Sequence, residues 1–280
     1  MTELTTRRAN DDDLFDAVAL AASSQAQRAT HAGFFPSDVG EIRASLSASP
    51  AWPDQAWVAE KSGKVVAWVM GELDGPRVDW RGPFAGETSW EEHAGPVLAA
   101  ARYASTATTE LIHADNRNYH LTRLSEELGF TGLTGVVEIG LANPLKDSIV
   151  MVHPMSDDFR EFVSMFHEET FPDSQTVGST IVDATGADTT MVVRHFGEPV
   201  GYINTTRESD AVGRINFLGV IEDLRRRRLG GEMVRAAVAA LVADGVSKVR
   251  VFVGDDNTAA RELFQSLGFT EQRLVIPFRR

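Results

Sequence analysis

The chain has 280 residues, 43% hydrophobic and 24% charged, enough for one large domain or two of ordinary size. A net charge of −13 argues against a general nucleic-acid binder and suits a protein that receives cationic small molecules. The absence of cysteine excludes disulfides, thiol nucleophiles and thiolate metal sites. No apolar run is long enough to span a bilayer, and Met1 to Arg8 lacks the apolar core of a secretory signal. A cytoplasmic location away from membranes is therefore the default expectation.

In chain order, Leu4 to Arg8 reads as a short strand before an acidic helix start at Asn10-Asp11-Asp12-Asp13. Ala56 to Met70 reads as two strands joined by a tight Ser62-Gly63 turn. Trp52, Trp57, Trp68, Trp80 and Trp90 all lie in this part, most as core, with one or two lining a groove or an interface. Between Trp80 and Pro96 there is no basic cluster, and Glu91 and Glu92 at a helix start would repel an anion. Asn118 to Phe130 reads as a helix capped by Asn118 and stopped by Gly129. Ala142 to Asp147 is turn-like.

After it, Ile149 to Val152 reads as a strand before Ser156-Asp157-Asp158, a second acidic helix start. Thr190 to Asn204 is a hairpin around Gly197, and Arg214 to Val220 a further strand. Arg225 to Arg228 follow, leading into a helix that ends near Asp244-Gly245. Lys248 to Val253 reads as a buried strand, Asn257 to Phe269 as a capped helix with Gly268 as its stop, and two short strands close the chain.

The order repeats. Asn, Leu, Leu and Gly-Phe recur at equal spacing in the two capped helices, 139 residues apart. A duplicated unit of roughly 140 residues follows, with domains at 1–146 and 147–280.

Cations at a helix start face a partial positive charge and unpaired N–H groups, which is unfavourable by itself. Four arginines there make sense if an anion such as phosphate completes the site. A solvated basic turn and a non-specific nucleic-acid patch are the alternatives, and Glu222 and Asp223 offset only part of the charge. Strand, loop, helix and strand imply a right-handed crossover between parallel neighbours, and ligands of such sheets sit beyond the carboxyl ends of the strands.

Set in that frame, the second half resembles the GNAT superfamily of N-acetyltransferases. The family's pyrophosphate loop, Q/R-x-x-G-x-G/A after a strand, is matched by Arg225-Arg226-Arg227-Arg228-Leu229-Gly230 after Leu218-Gly219-Val220. Arg228 departs from the first glycine; a helix-forming backbone there, which tolerates a side chain, is the expectation. A second family signature is matched by Asn257, Ala260, Leu263, Gly268 and Phe269, with Phe264 in place of a tyrosine.

The resemblance implies an α/β fold of two tandem GNAT-like domains. Each would be a mixed, mainly antiparallel sheet of about six or seven strands flanked by helices. It implies acetyl-CoA as acyl donor, with no metal. The coenzyme would lie along Leu218, Gly219 and Val220, with its pyrophosphate on Arg225, Arg226, Arg227, Arg228, Leu229, Gly230 and Gly231. Asn257, Ala260 and Phe264 would complete that site, although Asn257 also reads as a plain helix cap. Leu263 and Leu267 read as core.

The implied reaction is acetyl transfer to the primary amine of a small-molecule acceptor in the second domain, with the Val220 N–H as oxyanion donor. Phe264 has no acidic hydrogen for the departing thiolate, so water would serve. No general base is assigned: Asn216 stands where some relatives use a carboxylate. For His167, Glu168, Glu169, His195 and Glu208 a solvated surface role outranks a catalytic one. The first half lacks the loop, and Ser125 holds the tyrosine position, so that half reads as a degenerate domain that packs on the second and walls the acceptor site. This tandem plan is similar in architecture to the mycothiol synthases. An acyl-CoA-binding protein without turnover is the alternative, and a nucleic-acid module a third reading. The assembly is expected to be a monomer or homodimer.

Overall fold

The computed structural model describes residues 3–142, 148–172, 174 and 176–280. At its amino end β1 (Thr5–Arg8) leads through a turn into α1 (Leu14–Gln25). The acidic run shapes that turn: Asn10 accepts from the Asp12 N–H, and Asp13 accepts from the Asn10 N–H at 2.8 Å. Asp38 caps α2 (Val39–Ala48) by accepting from the Gly40 and Glu41 N–H groups. β2 (Ala56–Lys61) and β3 (Lys64–Asp74) form the anticipated hairpin. Ser62 and Gly63 at its tip have φ of 55° and 72°, the two-residue turn whose twist matches paired strands.

β4 (Arg77–Ala85), α3 (Trp90–Ala104) and β5 (Thr109–Asp115) form a crossover whose strands pair in parallel from Arg77–Thr109 to Trp80–Ile112. α4 (Tyr119–Glu127) is capped by Asn118 and ends at Gly129, whose φ is 82°. The short β6 (Thr131–Gly132) follows. Trp68 centres the core here: it is fully buried, donates its indole N–H to the Ala17 carbonyl and packs against Trp52 and Phe84. Trp80 and Trp90 are also buried, while Trp52 and Trp57 are half-buried.

The same plan follows in the second half. After β7 (Val136–Leu141) and β8 (Val152–Pro154) come α5 (Arg160–Thr170) and α6 (Gly178–Val182). β9 (Asp188–His195) and β10 (Glu198–Arg207) make a hairpin turning at Phe196 and Gly197, again with positive φ at both residues. β11 (Val212–Val220), α7 (Leu229–Ala243) and β12 (Lys248–Gly254) form the crossover. α8 (Thr258–Ser266) is capped by Asn257 and stopped by Gly268, and one strand, β13 (Thr270–Arg279), replaces the two short ones anticipated. The strand anticipated at Ile149 to Val152 begins at Val152.

Two compact units result: Met1–Val136 with Arg273–Arg280, and Val137–Gln272. In the first, β5 is followed by the end of β13, paired antiparallel from Val275–Asp115 to Arg279–Leu111. In the second the strands run β7-β12-β11-β10-β9-β8. Both sheets are mixed and mainly antiparallel, as the sequence leads one to expect. The units differ from a single division at 1–146 and 147–280 by an exchange of end strands. Each exchanged strand occupies an edge that would otherwise carry unpaired N–H and C=O groups. Of the anticipated boundary, Asn143 to Asp147 lie outside the described residues.

Candidate coenzyme site and acceptor cleft

In the second unit β11 and β12 pair only from Val212–Lys248 to Ile215–Val251. Beyond that point the strands part. The register between β10 and β11 jumps from Thr205–Ile215 to Asn204–Phe217, which makes Asn216 a bulge. The Ile221 N–H donates to Val200 on the β10 side. Strand alternation then turns the polar groups of Leu218 and Val220 toward the side that β12 has left. Gly219 permits this path: a Cβ there would lie 2.9 Å from the Phe166 ring carbon Cε1, so a side chain would have to push that ring aside.

The chain then passes a short helical turn, Glu222–Leu224, anchored by the buried Leu224, and reaches the arginines. Arg225 turns back and donates from Nε to the Val220 carbonyl at 2.9 Å, stapling the loop to the strand end. Arg226, Arg227 and Arg228 are exposed, and none has a side-chain partner among the described residues. Arg226 and Arg228 hold φ of 60° and 67°. The expectation of helical geometry at Arg228 is corrected here: the backbone is left-handed, the region a glycine would fill without strain. Each such residue costs about 1–3 kcal/mol, which local structure must offset.

The geometry leaves amides exposed. The N–H groups of Arg226, Arg227 and Arg228 have no acceptor among the described residues, and the start of α7 has no side-chain cap. The N–H groups of Leu229, Gly230 and Gly231 belong to the first turn of a helix, which offers them no internal partner. Six consecutive N–H groups, a helix dipole and three guanidiniums without side-chain partners among the described residues thus lie on the turn that follows the opened strand. Gly230 and Gly231 pack against Leu263 of α8, and a Cβ at either would make only ordinary contact at 3.5 Å and 3.7 Å.

α8 keeps its own cap: Asn257 Oδ1 accepts from the Ala260 N–H at 3.1 Å. Phe264, anticipated at the coenzyme, sits on the inner side of α8. It is 3% exposed and packs edge-on against Phe269, so it belongs to the core. Leu263 and Leu267 are half-buried.

A cleft of about 450 Å³ opens beside the splayed strands, within the usual range for small-ligand sites. Phe217 and Phe252 line its β11–β12 end; Asn204, Thr206 and Asn216 lie on its floor, and Thr176 and Thr180 on its wall. Of the residues weighed as bases, only Asn216 lines it. His167 is fully buried; its Nε2 faces the Thr176 carbonyl at 2.7 Å and its Nδ1 the Tyr202 hydroxyl at 2.5 Å. A carbonyl only accepts, so Nε2 carries the hydrogen and Nδ1 accepts from tyrosine. Burial pushes the Tyr202 hydroxyl far above its usual range, so it remains a donor. His167 thus braces the wall rather than facing the cleft.

Glu168 accepts from the Gly178 N–H at 2.7 Å and holds the start of α6. Glu169 and His195 are exposed, His195 beside Phe196 at the hairpin tip. Glu208 pairs with Arg214 and Arg250. Asp188, Asn204 and Thr206 were not apparent from sequence alone. One signal was available: Asn204 directly follows the apolar run Val200 to Ile203, and it is buried and hydrogen-bonded to Thr190.

The first unit treats the corresponding gap differently. β4 and β5 also part beyond Trp80–Ile112, but residues 31–33 lie along the freed edge of β5. The Gly33 N–H donates to His113, the Asp115 N–H donates to His31, and Ala32 bridges Ala114. The helix start after β4 carries Glu91 and Glu92. Ser125 is fully buried in α4. This unit has neither the bare edge nor the cationic turn of the second.

A diverging parallel pair, a crossover helix and an Asn-capped helix ended by a left-handed glycine, present twice, define a tandem GNAT fold. The GCN5-related N-acetyltransferase from Sphaerobacter thermophilus superposes with a TM-score of 0.78 at 14% identity, over 99% of this chain and 95% of that one. The tandem GNAT protein from the clavulanic acid biosynthesis pathway superposes at 0.58 with 17% identity, over 100% of this chain and 98% of that one. At those identities the likeness is one of fold. Residues 155–269 match the model of the GNAT acetyltransferase family.

Mycothiol acetyltransferases of Corynebacterium aurimucosum and Thermobispora bispora are each 35% identical to it, over 63 and 69 residues. Those stretches cover 22% and 25% of this chain, and 21% and 23% of the relatives' own length. No helix among the described residues is long and apolar enough to cross a membrane. No group of three or more His, Asp or Glu side chains among them could hold a metal ion.

Proposed function

We propose that the second unit is an N-acetyltransferase that moves the acetyl group of acetyl-CoA to a primary amine of a small molecule. The observation that carries this reading is the uncapped, doubly left-handed Arg226–Arg228 turn at the point where β11 loses its neighbour. The N–H groups of residues 226–231 and the three free arginines suit a diphosphate. The turned-out groups of Leu218 and Val220 suit an amide-bearing pantetheine arm, and Asn257 and Ala260 lie at the start of the adjoining α8. In the cleft the neutral amine attacks the thioester carbonyl, the C–S bond breaks, the nitrogen releases its extra proton to water, and the departing thiolate takes a proton back from water. The Val220 N–H is the oxyanion donor in this reading. The acidic net charge favours a cationic acceptor over nucleic acid.

Calorimetry with acetyl-CoA, followed by a thiol-release assay over a panel of amines, tests this. Binding with turnover supports it, and absence of binding removes it. A second reading, coenzyme binding without turnover, draws on Phe264 in the core and on Asn216, which can neither gain nor lose a proton. Binding without thiol release on any amine would select it.

A further inference from the structure

Across the floor of the cleft, side chains from three strands are linked in one direction. Arg214 Nε donates to Asn216 Oδ1 at 2.6 Å, Asn216 Nδ2 donates to Thr206 Oγ1 at 2.7 Å, and the Thr206 hydroxyl donates to Asp188. Asn216 Nδ2 also reaches Asn204 Oδ1 at 2.7 Å, and Asn204 donates to Thr190. Each dipole points from the guanidinium toward the carboxylate, so the chain polarises along its length. An amide in the middle cannot relay a proton. The arrangement fixes charge in place; it does not move hydrogen.

The ionic pairs around it balance, with one exception. Arg214 lies 3.2 Å from Glu208, Glu208 also takes Arg250 at 2.5 Å, and Arg250 lies 3.6 Å from Glu138. Each of these four charges thus has an opposite charge beside it. On the neighbouring rim Arg207 pairs with Asp210 and Arg160 with Asp183. Among the described residues, Asp188 is the one that supplies a carboxylate to the cleft lining, and no ion pair joins it to a cation. It is exposed at the start of β9 and has one hydroxyl as partner, which orients the carboxylate without cancelling its charge. A polar cleft with one uncompensated, oriented negative charge is complementary to a cation.

We infer that Asp188 receives a second cationic group of the acceptor, one that is not acetylated. This rests on the acetyl-transfer reading above. β9 and β11 are separated by β10, and Asp188 lies level with Thr206 and Arg214, three residues short of the Met191–Ile203–Leu218 level, so it stands roughly 14 Å from the first outward-facing groups of the bare edge of β11. The acceptor is therefore a molecule with two amino groups that, together with their contacts, span that distance. One enters the splay as the free amine; the other remains an ammonium on Asp188. Phe217 and Phe252 cover the spacer at one end, and Thr206 and Asn204 meet it at the other.

The test compares α,ω-diaminooctane with aminooctanol, its isostere lacking the second charge. Both are assayed with wild type, Asp188→Asn and Asp188→Glu, and acetyl-CoA affinity is measured by calorimetry alongside. Wild type is expected to favour the diamine by about tenfold in kcat/KM, a preference that falls as salt is raised. Asp188→Asn, which keeps the acceptor atom for Thr206, is expected to abolish the preference through KM with kcat and acetyl-CoA affinity unchanged. Asp188→Glu is expected to restore it. An equal preference in wild type and Asp188→Asn, or none in wild type, overturns the inference. Loss of acetyl-CoA binding in every protein overturns the acetyl-transfer reading instead. Diaminooctane binding by the coenzyme-free protein then decides the Asp188 contact separately, upheld if Asp188→Asn weakens it about tenfold and overturned if affinity is equal.

Discussion

Gly33 donates its N–H to the carbonyl of His113 at 2.8 Å, and by that bond the first unit closes the gap that the second leaves open. The two gaps arise alike, from parallel strands that stop pairing after four residues. What differs is a segment of the chain's own backbone, residues 31–33, laid where an extended ligand would otherwise pair.

On the acetyl-transfer reading, one coenzyme per chain is the expected consequence. Calorimetric titration with acetyl-CoA should give a single site, and a second site of similar affinity would show that residues 31–33 are displaced. Gly33 is required for the closure, since a Cβ there would sit 2.3 Å from Val275 Cγ1. Gly33→Ala is expected to destabilise the fold by about 1–3 kcal/mol, read from urea midpoints, without changing the affinity of the one site.

The cationic turn allows a clean separation of binding from stability. Arg226 and Arg227 are exposed and have no partner among the described residues, so replacing both with glutamate breaks no contact. Arg226→Glu with Arg227→Glu should weaken acetyl-CoA binding about 10- to 100-fold, the scale expected when two charge-assisted contacts to a diphosphate are lost. The Tm should move by no more than about 2 °C. Unchanged affinity at low salt would remove the diphosphate from this turn.

How far sequence reached can be seen in particular residues. Asn118 and Asn257, with Gly129 and Gly268, were legible because capping and left-handed stops are local chemistry. The loop was legible because its charge contradicts its place at a helix start. Arg228 was misread because φ depends on how the turn is stapled, and the Arg225–Val220 bond that does so joins residues whose pairing no periodicity encodes. Phe264 was legible as part of the apolar stripe of α8, and it is buried there against Phe269. Residues 31–33 and the Arg214–Asp188 chain were invisible, since both depend on strands meeting across long sequence separations.

His31 makes the first unit acid-sensitive. It is 2% exposed with neither ring nitrogen hydrogen-bonded, and burial, then the Arg273 and Arg28 charges, push its pKa down to about 3. The unfolded chain takes up this proton as pH falls through about 6.5, while the folded chain resists until about 3. Stability from this residue is thus complete above the higher value and is lost progressively below it, by up to tenfold in the unfolding constant per pH unit. Asp13, held low by its hydrogen bond to Arg7, acts only at more acid pH. His31→Leu should remove one proton from the slope of urea-unfolding free energy against pH between about 6 and 4. An unaltered slope would place the acid sensitivity elsewhere.

Arg228 tests whether the turn grips through backbone or side chain. Its φ of 67° is the conformation glycine adopts freely, and its guanidinium has no partner among the described residues. Arg228→Gly should therefore relieve strain, raising stability by up to about 1 kcal/mol after the entropy that glycine gains in the unfolded chain. If exposed N–H groups of residues 226–231 carry the diphosphate, acetyl-CoA affinity should fall by no more than about threefold. A loss of 30-fold or more would assign the grip to the Arg228 side chain and would explain why a strained arginine stands there. Thermal melts and calorimetry on the same preparation give both answers, because the strain is read without ligand and the grip only with it.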